Sequence, residues 1–204
     1  MPKYRGSSPI QWSLINGEKK LGVTILQTYA GIDNGPVLLT QEYDILPQDT
    51  IESLMHNLST MGGDLLLKGL DMLESGNYTS VPQNEDEMTY YPMLKKEMSP
   101  IDFNKSAEQI VNFVRGMAEW PVATVNLQCN ITKVFKAEVV NYMPEKLYNN
   151  GEIVCATNKL GLIVQTANGF VRLCQIQPQN SKLMKDTDYL NGKKLEVGTN
   201  ITNK

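Results

Sequence analysis

The stretch PKYRGSSPIQWSLINGEKKLGVTILQTYAGIDNGPVLL, residues 2–39, decides the fold. Ser8, Pro9 and Gln11 predict a helix start, because a hydroxyl can cap the first amides, proline suits the first helical position and a glutamine can complete a capping box. Gly17 favours an end to this helix after about two turns. The stretch therefore begins with a loop and a short helix.

Two short apolar runs follow this helix, at residues 23–29 and 37–43, and both are typical of strands packed in a sheet. Between them lies the loop AGIDNGP, residues 30–36, with Asp33 at its centre. Glycine and proline make such a connection tight and stiff. The loop can therefore hold a carboxylate at a fixed place above the strand ends.

A long amphipathic helix is predicted next, because apolar residues recur at helical spacing from Ile51 to Leu73. Asp49 or Thr50 can cap its start, and Gly76 suits its end. Gly62 and Gly63 interrupt the apolar stripe, at a cost of about 1 kcal/mol each relative to alanine. We expect something to pack closely against them.

Residues 77–104 hold three prolines and an acidic run with little apolar material to bury, which predicts an extended linker. After it, Ser106 and Gln109 predict a capped helix. About five short strand-like runs with Asn and Gly turns follow and suggest a small β-barrel. The predicted domains are residues 1–76 and residues 105–204.

Charge is distributed unevenly along the 204 residues. Residues 1–104 carry 7 Lys+Arg against 14 Asp+Glu, a net charge of −7, whereas residues 105–204 carry 12 against 8, a net charge of +4. The second part can attract a polyanion, although a solvated basic surface explains the same numbers. The charge alone leaves both interpretations open.

No apolar run approaches the roughly 20 residues that a membrane helix needs, and we see no secretory segment, so no membrane partner is expected. The three cysteines are odd in number and share no short metal-ligand spacing. They predict free thiols in a reducing cytoplasm and no metal site.

Several motifs together resemble the methionyl-tRNA formyltransferase family. They run through the whole chain: PKYRGSSPI at 2–10, INGE at 15–18, GVTI at 22–25, GIDNGPVL at 31–38, IDF at 101–103, RG at 115–116, WP at 120–121, KAE at 136–138 and QIQP at 175–178. The resemblance implies the distal part of an α/β, Rossmann-like formyltransferase domain followed by an all-β, OB-like barrel that contacts tRNA. It implies formyl transfer from 10-formyltetrahydrofolate to the amino group of initiator methionyl-tRNA, in the cytoplasm.

The family uses an Asn, a His and an Asp in catalysis, and the resemblance places the Asp at Asp33. The Asn and His belong to a segment that lines the folate pocket, of which only the final residue, Pro2, is present in this sequence. His56, the single histidine, lies in the predicted long helix and does not match the family's catalytic His. We therefore expect little or no transferase activity from this chain alone.

The resemblance also implies basic residues that meet the phosphates of tRNA without reading its sequence. The candidates are Lys3, Arg5, Lys95, Lys96, Lys133, Lys136, Arg172 and Lys182. Each is individually interchangeable with solvated surface. Two alternatives stay open: a sugar-nucleotide formyltransferase, which shares the catalytic half, and a tRNA-binding module without catalysis. The sequence leaves the question of protein partners open.

Overall fold

A computed structural model describes residues 1–203, which form a mixed α/β fold with a multi-strand sheet. This confirms the predicted α/β class. The chain divides into two compact units, a first unit of Met1–Met93 and a second unit that begins at Leu94.

The first unit places two helices against a two-stranded sheet. Its elements are β1 (Arg5–Gly6), α1 (Pro9–Ile15), β2 (Lys20–Leu26), β3 (Val37–Asp44), α2 (Ile51–Glu74), a 3-10 turn (Glu85–Glu87) and β4 (Tyr90–Tyr91). Strands β2 and β3 are antiparallel and β1 pairs in parallel with β4. The loop that contains Asp33 connects β2 to β3, as the sequence predicts.

The core of this unit lies where α1 and α2 meet. Leu14, Ile51, Leu54 and Leu58 are buried together there. Helix α2 begins as predicted at Thr50, whose hydroxyl oxygen accepts a hydrogen bond from the Ser53 amide at 3.2 Å. The Thr50 amide in turn donates a hydrogen bond to the Ser53 hydroxyl oxygen at 3.0 Å, which completes a capping box.

The predicted capping box at α1 is wrong, although the helix does begin at Pro9. The Ser8 side chain makes no capping hydrogen bond. Its backbone, at φ −139° and ψ 49°, lies outside the extended region that Thr50 and Ser106 adopt as N-caps. The fixed φ of Pro9 remains as the local signal for this helix start.

The glycine pair in α2 is not a site of close packing. A methyl group on Gly62 would lie 3.5 Å from Val23, an ordinary contact, and one on Gly63 would meet nothing within 4 Å. At Gly69 a methyl group would likewise make ordinary contacts, the nearest at 3.4 Å from Leu38. The expectation of close packing against Gly62 and Gly63 is therefore wrong.

Gly63→Ala is expected to raise the free energy of unfolding by about 0.5–1 kcal/mol, because alanine restricts the unfolded chain and fits the helix without a clash. Urea unfolding followed by circular dichroism measures the change. Gly69→Ala is the comparison and should also gain stability, since its methyl group would make ordinary contacts, 3.4 Å from Leu38 and 3.5 Å from Ile25. A loss of stability in Gly63→Ala would contradict the expectation.

The second unit is built on an antiparallel sheet. Its elements are a 3-10 turn (Lys96–Met98), α3 (Ala107–Gly116), β5 (Ala123–Leu127), β6 (Asn130–Val140), β7 (Ile153–Thr157), β8 (Gly161–Gln165), β9 (Phe170–Pro178), β10 (Met184–Lys185) and α4 (Asp186–Gly192). The strand order is β5-β6-β9-β8-β7, with β10 added to β9. Ser106 and Gln109 form the predicted capping box, and the predicted Asn168-Gly169 turn joins β8 to β9. Within residues 1–203, no strand ladder joins β5 to β7.

The expectation that residues 77–104 bury little apolar surface is wrong at the C-terminal end of the segment, where Leu94, Ile101 and Phe103 are buried. At the other end, the backbone of Val81 pairs with that of Val37, but the Val81 side chain is 62% exposed. The buried residues are scattered among polar ones without a helical or strand period, so the sequence pattern does not reveal that they pack. Residues 94–104 are part of the second unit's core rather than an extended connection.

A buried carboxylate fastens α4 to the sheet of the second unit. Asp186 is 0% exposed and accepts hydrogen bonds from Arg172 Nε at 2.7 Å and Arg172 Nη2 at 2.9 Å. It also accepts the backbone amides of Leu162 and Thr187, each at 2.9 Å. At Gly161, with φ 86°, a Cβ would overlap this ion pair, so glycine leaves the space that it occupies.

Two features are absent from residues 1–203. No helix there is long and apolar enough to cross a membrane. No group of three or more His, Cys, Asp or Glu side chains in that range is arranged to hold a metal ion. The three cysteines are unpaired, with Cys129 exposed, Cys155 buried and Cys174 between these extremes.

Candidate functional site

The Asp33 loop is held tightly at its two ends. The Gln27 amide donates to the Pro36 carbonyl at 3.0 Å, and the backbones approach so closely that a Cβ on Gly35 would overlap the Gln27 carbonyl oxygen. Asp33 itself is half-buried and has φ 52°, a left-handed conformation that is uncommon outside glycine. Such strain persists only where the surroundings enforce it, and it is frequent at functional sites.

A side chain from a distant part of the sequence enforces this conformation. The amide nitrogen of Gln83 donates to the carbonyl oxygens of Asp33 at 2.8 Å and Gly35 at 2.7 Å. The Gln83 side-chain oxygen in turn accepts from Arg5 Nη2 at 2.9 Å. The Glu85 carboxylate accepts hydrogen bonds from both terminal nitrogens of Arg5, at 3.0 and 2.8 Å. Arg5, Gln83 and Glu85, here called the Gln83 network, therefore position the Asp33 loop.

The charges of this region lie close enough to influence one another. The hydrogen bonds to Glu85 raise the pKa of Arg5, and the Asp33 carboxylate adds to this effect. Burial is the main cause that lowers the pKa of the Met1 amino group, and the positive charge of Arg5 adds to it. The negative charge of Asp33 acts in the opposite direction and raises this pKa. The charge of the Asp33 carboxylate thus acts on both the Arg5 guanidinium and the Met1 amino group.

Pro2 and Lys3 line a cavity of about 490 Å³ in the first unit. Its walls also include Pro9, Leu21 and Glu42, so it offers both apolar and polar surface. Asp33 is not among the lining residues. Lys3 is exposed and Pro2 is half-buried.

The structure argues against Arg5 as a phosphate contact. The sequence suggests an exposed basic loop, yet Arg5 is 5% exposed and its terminal nitrogens are bonded to Gln83 and Glu85. Its Nε is buried without a hydrogen-bond partner among residues 1–203. Charge counting misses this arrangement because Glu85 lies 80 residues away in the sequence.

Two basic residues of the second unit also have internal partners. Arg172 forms an ion pair with the buried Asp186, and its hydrogen bonds to this carboxylate raise the pKa of the guanidinium. We therefore no longer propose Arg172 as a phosphate contact. Lys136 pairs with Glu138 at 2.8 Å on the surface, where such a pair contributes little and can exchange for another anion. It remains a candidate.

The other basic candidates of the second unit are exposed. Lys96 and Lys133 line one groove of about 530 Å³, whereas Lys95 and Lys182 lie outside its lining. None of these four has an ion-pair partner within residues 1–203. The structure thus brings two of the predicted residues together.

His56 is an exposed residue of α2. The hydroxyl groups of Ser59 and Thr60 donate to its carbonyl oxygen, which is an ordinary helical contact. Within residues 1–203, its side chain has no hydrogen bond or ion pair that points to catalysis.

Sequence reasoning missed several neighbours of the candidate residues. Gln83 and Glu85 lie in the segment predicted to be a linker, where nothing marks either residue as a partner of Arg5. Trp120 belongs to a motif of the family resemblance, but neither it nor Ile131 is marked by the sequence as an exposed residue that lines a groove with Lys96 and Lys133. Only the fold reveals these neighbours.

Comparison with known proteins gives consistent matches along the chain. Residues 1–70 match the family described as "Formyl transferase", and residues 93–194 match "Formyl transferase, C-terminal domain". A relative from Thermodesulfovibrio yellowstonii named methionyl-tRNA formyltransferase is 41% identical over 97% of this chain. Other relatives of that name are 34–37% identical.

Solved structures show the same fold at lower identity. HypX from Aquifex aeolicus in complex with tetrahydrofolic acid is 19% identical with a TM-score of 0.67, covering 97% of this chain and 37% of HypX. The N-formyltransferase from Helicobacter canadensis, solved with folinic acid and dTDP-3-aminofucose, is 23% identical with a TM-score of 0.67, covering 87% and 63%.

The chain spans 62–65% of the length of the curated relatives that it matches. The two family matches nevertheless occupy most of its residues and follow one another in chain order, at 1–70 and 93–194. On this basis the chain belongs to the formyl transferase family.

Proposed function

We propose that this chain takes part in formyl transfer from 10-formyltetrahydrofolate to the amino group of initiator methionyl-tRNA. The observation that carries the proposal is the strained Asp33 loop, fixed by Gln83 at 2.8 and 2.7 Å. The names of the relatives support this choice of substrate. Translation takes place in the cytoplasm, which is the location that we propose.

The chemistry explains why a fixed carboxylate is useful. The amine nitrogen must lose a proton as it attacks the formyl carbon, and a positioned carboxylate can take that proton through water. It can also orient an imidazole and keep it protonated as a donor to the developing oxyanion. We assign Asp33 one of these roles, and the Gln83 network supports it by fixing the backbone on which the carboxylate stands.

The residues present fit one end of a folate co-substrate. The cavity beside Pro2 combines apolar walls with charged side chains, a mixture that suits a heteroaromatic ring with polar edges. The charged lining residues are Lys3, Glu18, Lys20, Glu42 and Glu87. We propose Pro2 as a contact of this ring. When bound, the co-substrate supplies the activated formyl group.

We propose that the second unit is the OB-like domain that holds tRNA. Its charge supports this role, since residues 105–204 carry a net charge of +4. The exposed lysines, Lys95, Lys96, Lys133 and Lys182, would neutralise phosphates and make binding dependent on salt. Lys3 and Lys136 are weaker candidates of the same kind.

The test is a formylation assay with two proteins: the 204-residue chain, and a fusion in which it follows the part of the Thermodesulfovibrio relative that it does not match. Both are given methionyl-tRNA and, separately, a dTDP-linked amino sugar, with 10-formyltetrahydrofolate. We expect the fusion to form formyl-methionyl-tRNA. Formylation of the amino sugar alone would contradict the proposal.

A sugar-nucleotide formyltransferase is the second candidate. It is favoured by the fold shared with the Helicobacter canadensis enzyme. A binding module without catalysis is the third: it predicts that the fusion binds tRNA but forms no product. If the chain were found to bind tRNA tightly and in a salt-sensitive way, this result would argue against a sugar-nucleotide formyltransferase.

Gln83→Leu is expected to loosen the Asp33 loop, because it removes two hydrogen bonds to backbone carbonyls. Each such bond contributes about 1 kcal/mol, so amide hydrogen exchange at residues 31–35 should become at least about tenfold faster. Gln41→Leu is the matched control, since Gln41 is exposed on β3. Equal exchange rates in both variants would refute the positioning role.

A further inference from the structure

The second unit carries a groove in which a large aromatic side chain stands open to solvent. Trp120 is 57% exposed and Ile131 is 62% exposed, and both line the groove of about 530 Å³. The indole N–H of Trp120 has no hydrogen-bond partner within residues 1–203. An exposed tryptophan beside an exposed isoleucine leaves apolar surface uncovered, which often marks a binding site.

The segment that carries Trp120 is anchored. The residues after it enter the core, with Ala123 buried at the start of β5 and Val125 buried two positions later. Just before it, Met117 is buried at the end of α3. The backbone segment that carries the indole, residues 118–122, is thus anchored at both ends.

Charged and amide groups surround this aromatic surface. Lys96 and Lys133 both line the groove, and neither has an ion-pair partner within residues 1–203. Gln179 and Asn180 supply amide groups from the turn after β9. Glu119 is the one carboxylate among the lining residues, so the cations outnumber it.

An aromatic face between cations is the arrangement that holds unpaired nucleotides, because the base stacks while phosphates meet lysine. Amide groups at the rim can meet the edge of the base without selecting one base strictly. A purely apolar ligand would leave both lysines unused, and a double helix would keep its bases away from Trp120.

We propose that this groove binds an unpaired nucleotide of an RNA, with its base stacked on Trp120 and its flanking phosphates at Lys96 and Lys133. The inference rests on the proposed function only in taking tRNA as that RNA. It adds a specific nucleotide subsite to a surface that otherwise offers general charge.

The test measures binding of labelled tRNA to the full 204-residue chain and its variants by fluorescence anisotropy. Trp120→Ala is expected to weaken binding about 5- to 100-fold, the range for loss of one stacked base. Trp120→Phe should weaken it less, since a smaller ring still stacks. Leu147→Ala is the control, because Leu147 is an exposed apolar residue outside the groove, and it should leave affinity within twofold.

The lysines are tested in the same way. Lys133→Ala should weaken binding and flatten its dependence on salt, whereas Lys159→Ala, an exposed lysine outside the groove, serves as the control. A single-stranded oligonucleotide should quench the tryptophan fluorescence of the wild-type chain, and the same sequence as a duplex should not. The quenching should disappear in Trp120→Phe, in which Trp12 is the remaining tryptophan.

The outcomes separate the two claims. If the wild-type chain binds no tRNA and no single strand, both the tRNA partner and the subsite are overturned. If it binds tRNA but Trp120→Ala behaves like Leu147→Ala and no quenching occurs, the subsite is overturned while the proposed function stands. If Trp120→Ala does not fold, the quenching difference between wild type and Trp120→Phe decides.

Discussion

Asp33→Asn, made in the fusion protein, is expected to lower the turnover of formyl transfer to methionyl-tRNA by about 10²–10⁴-fold, the range for a lost acid–base group. Asparagine also accepts a left-handed backbone, so the loop should keep its shape. Its neutral amide, however, can neither take a proton nor stabilise an imidazolium. Single-turnover rates with saturating substrate measure the loss.

Asp71→Asn provides the matched control for this experiment. Asp71 is an exposed carboxylate on α2 that lies outside the Asp33 loop, so its removal should leave turnover unchanged. The affinity for tRNA should be the same in both variants, because Asp33 is assigned to the chemical step. Unchanged turnover in Asp33→Asn would leave the chain only a binding role.

Asp186→Ala is expected to lower the free energy of unfolding of the second unit by about 3–5 kcal/mol, the usual loss when one partner of a buried ion pair is removed. The guanidinium of Arg172 would remain partly buried without its anion, and the Leu162 amide would lose its acceptor. Urea unfolding measures the loss. Faster amide exchange in β8 and β9 assigns it to this unit.

Asp188→Ala is the control, since Asp188 lies in the same first turn of α4 but is exposed. Its effect should stay within about 0.5 kcal/mol, as is usual for surface substitutions. If the two variants unfolded at the same urea concentration, the Arg172–Asp186 pair would not fasten α4 to the sheet.

Local patterns in the sequence predicted the elements that local forces determine. The apolar period of α2, the Thr50 cap and the turn at Asn168-Gly169 are short-range features, and the structure has all three. The Asp33 loop is of the same kind, because glycine and proline within seven residues define it. Its connection between two strands could therefore be predicted correctly.

Long-range pairing explains what could not be predicted. Arg5 meets Glu85 across 80 positions, and Gln83 meets the Asp33 loop across 50. A count of lysine and arginine cannot distinguish a free side chain from one that is bonded inside the fold. The resemblance implies tRNA contacts at Arg5 and Arg172, whereas both side chains are bonded to carboxylates within the fold.

The Gln83 network has a consequence for protein engineering. A loop such as residues 30–36 looks easy to exchange between formyltransferases, because it is short and its two ends lie close together. In this chain, however, its shape depends on three side chains encoded outside the loop, so a graft of seven residues would arrive without its support. A chimera should therefore receive Arg5, Gln83 and Glu85 together with the loop.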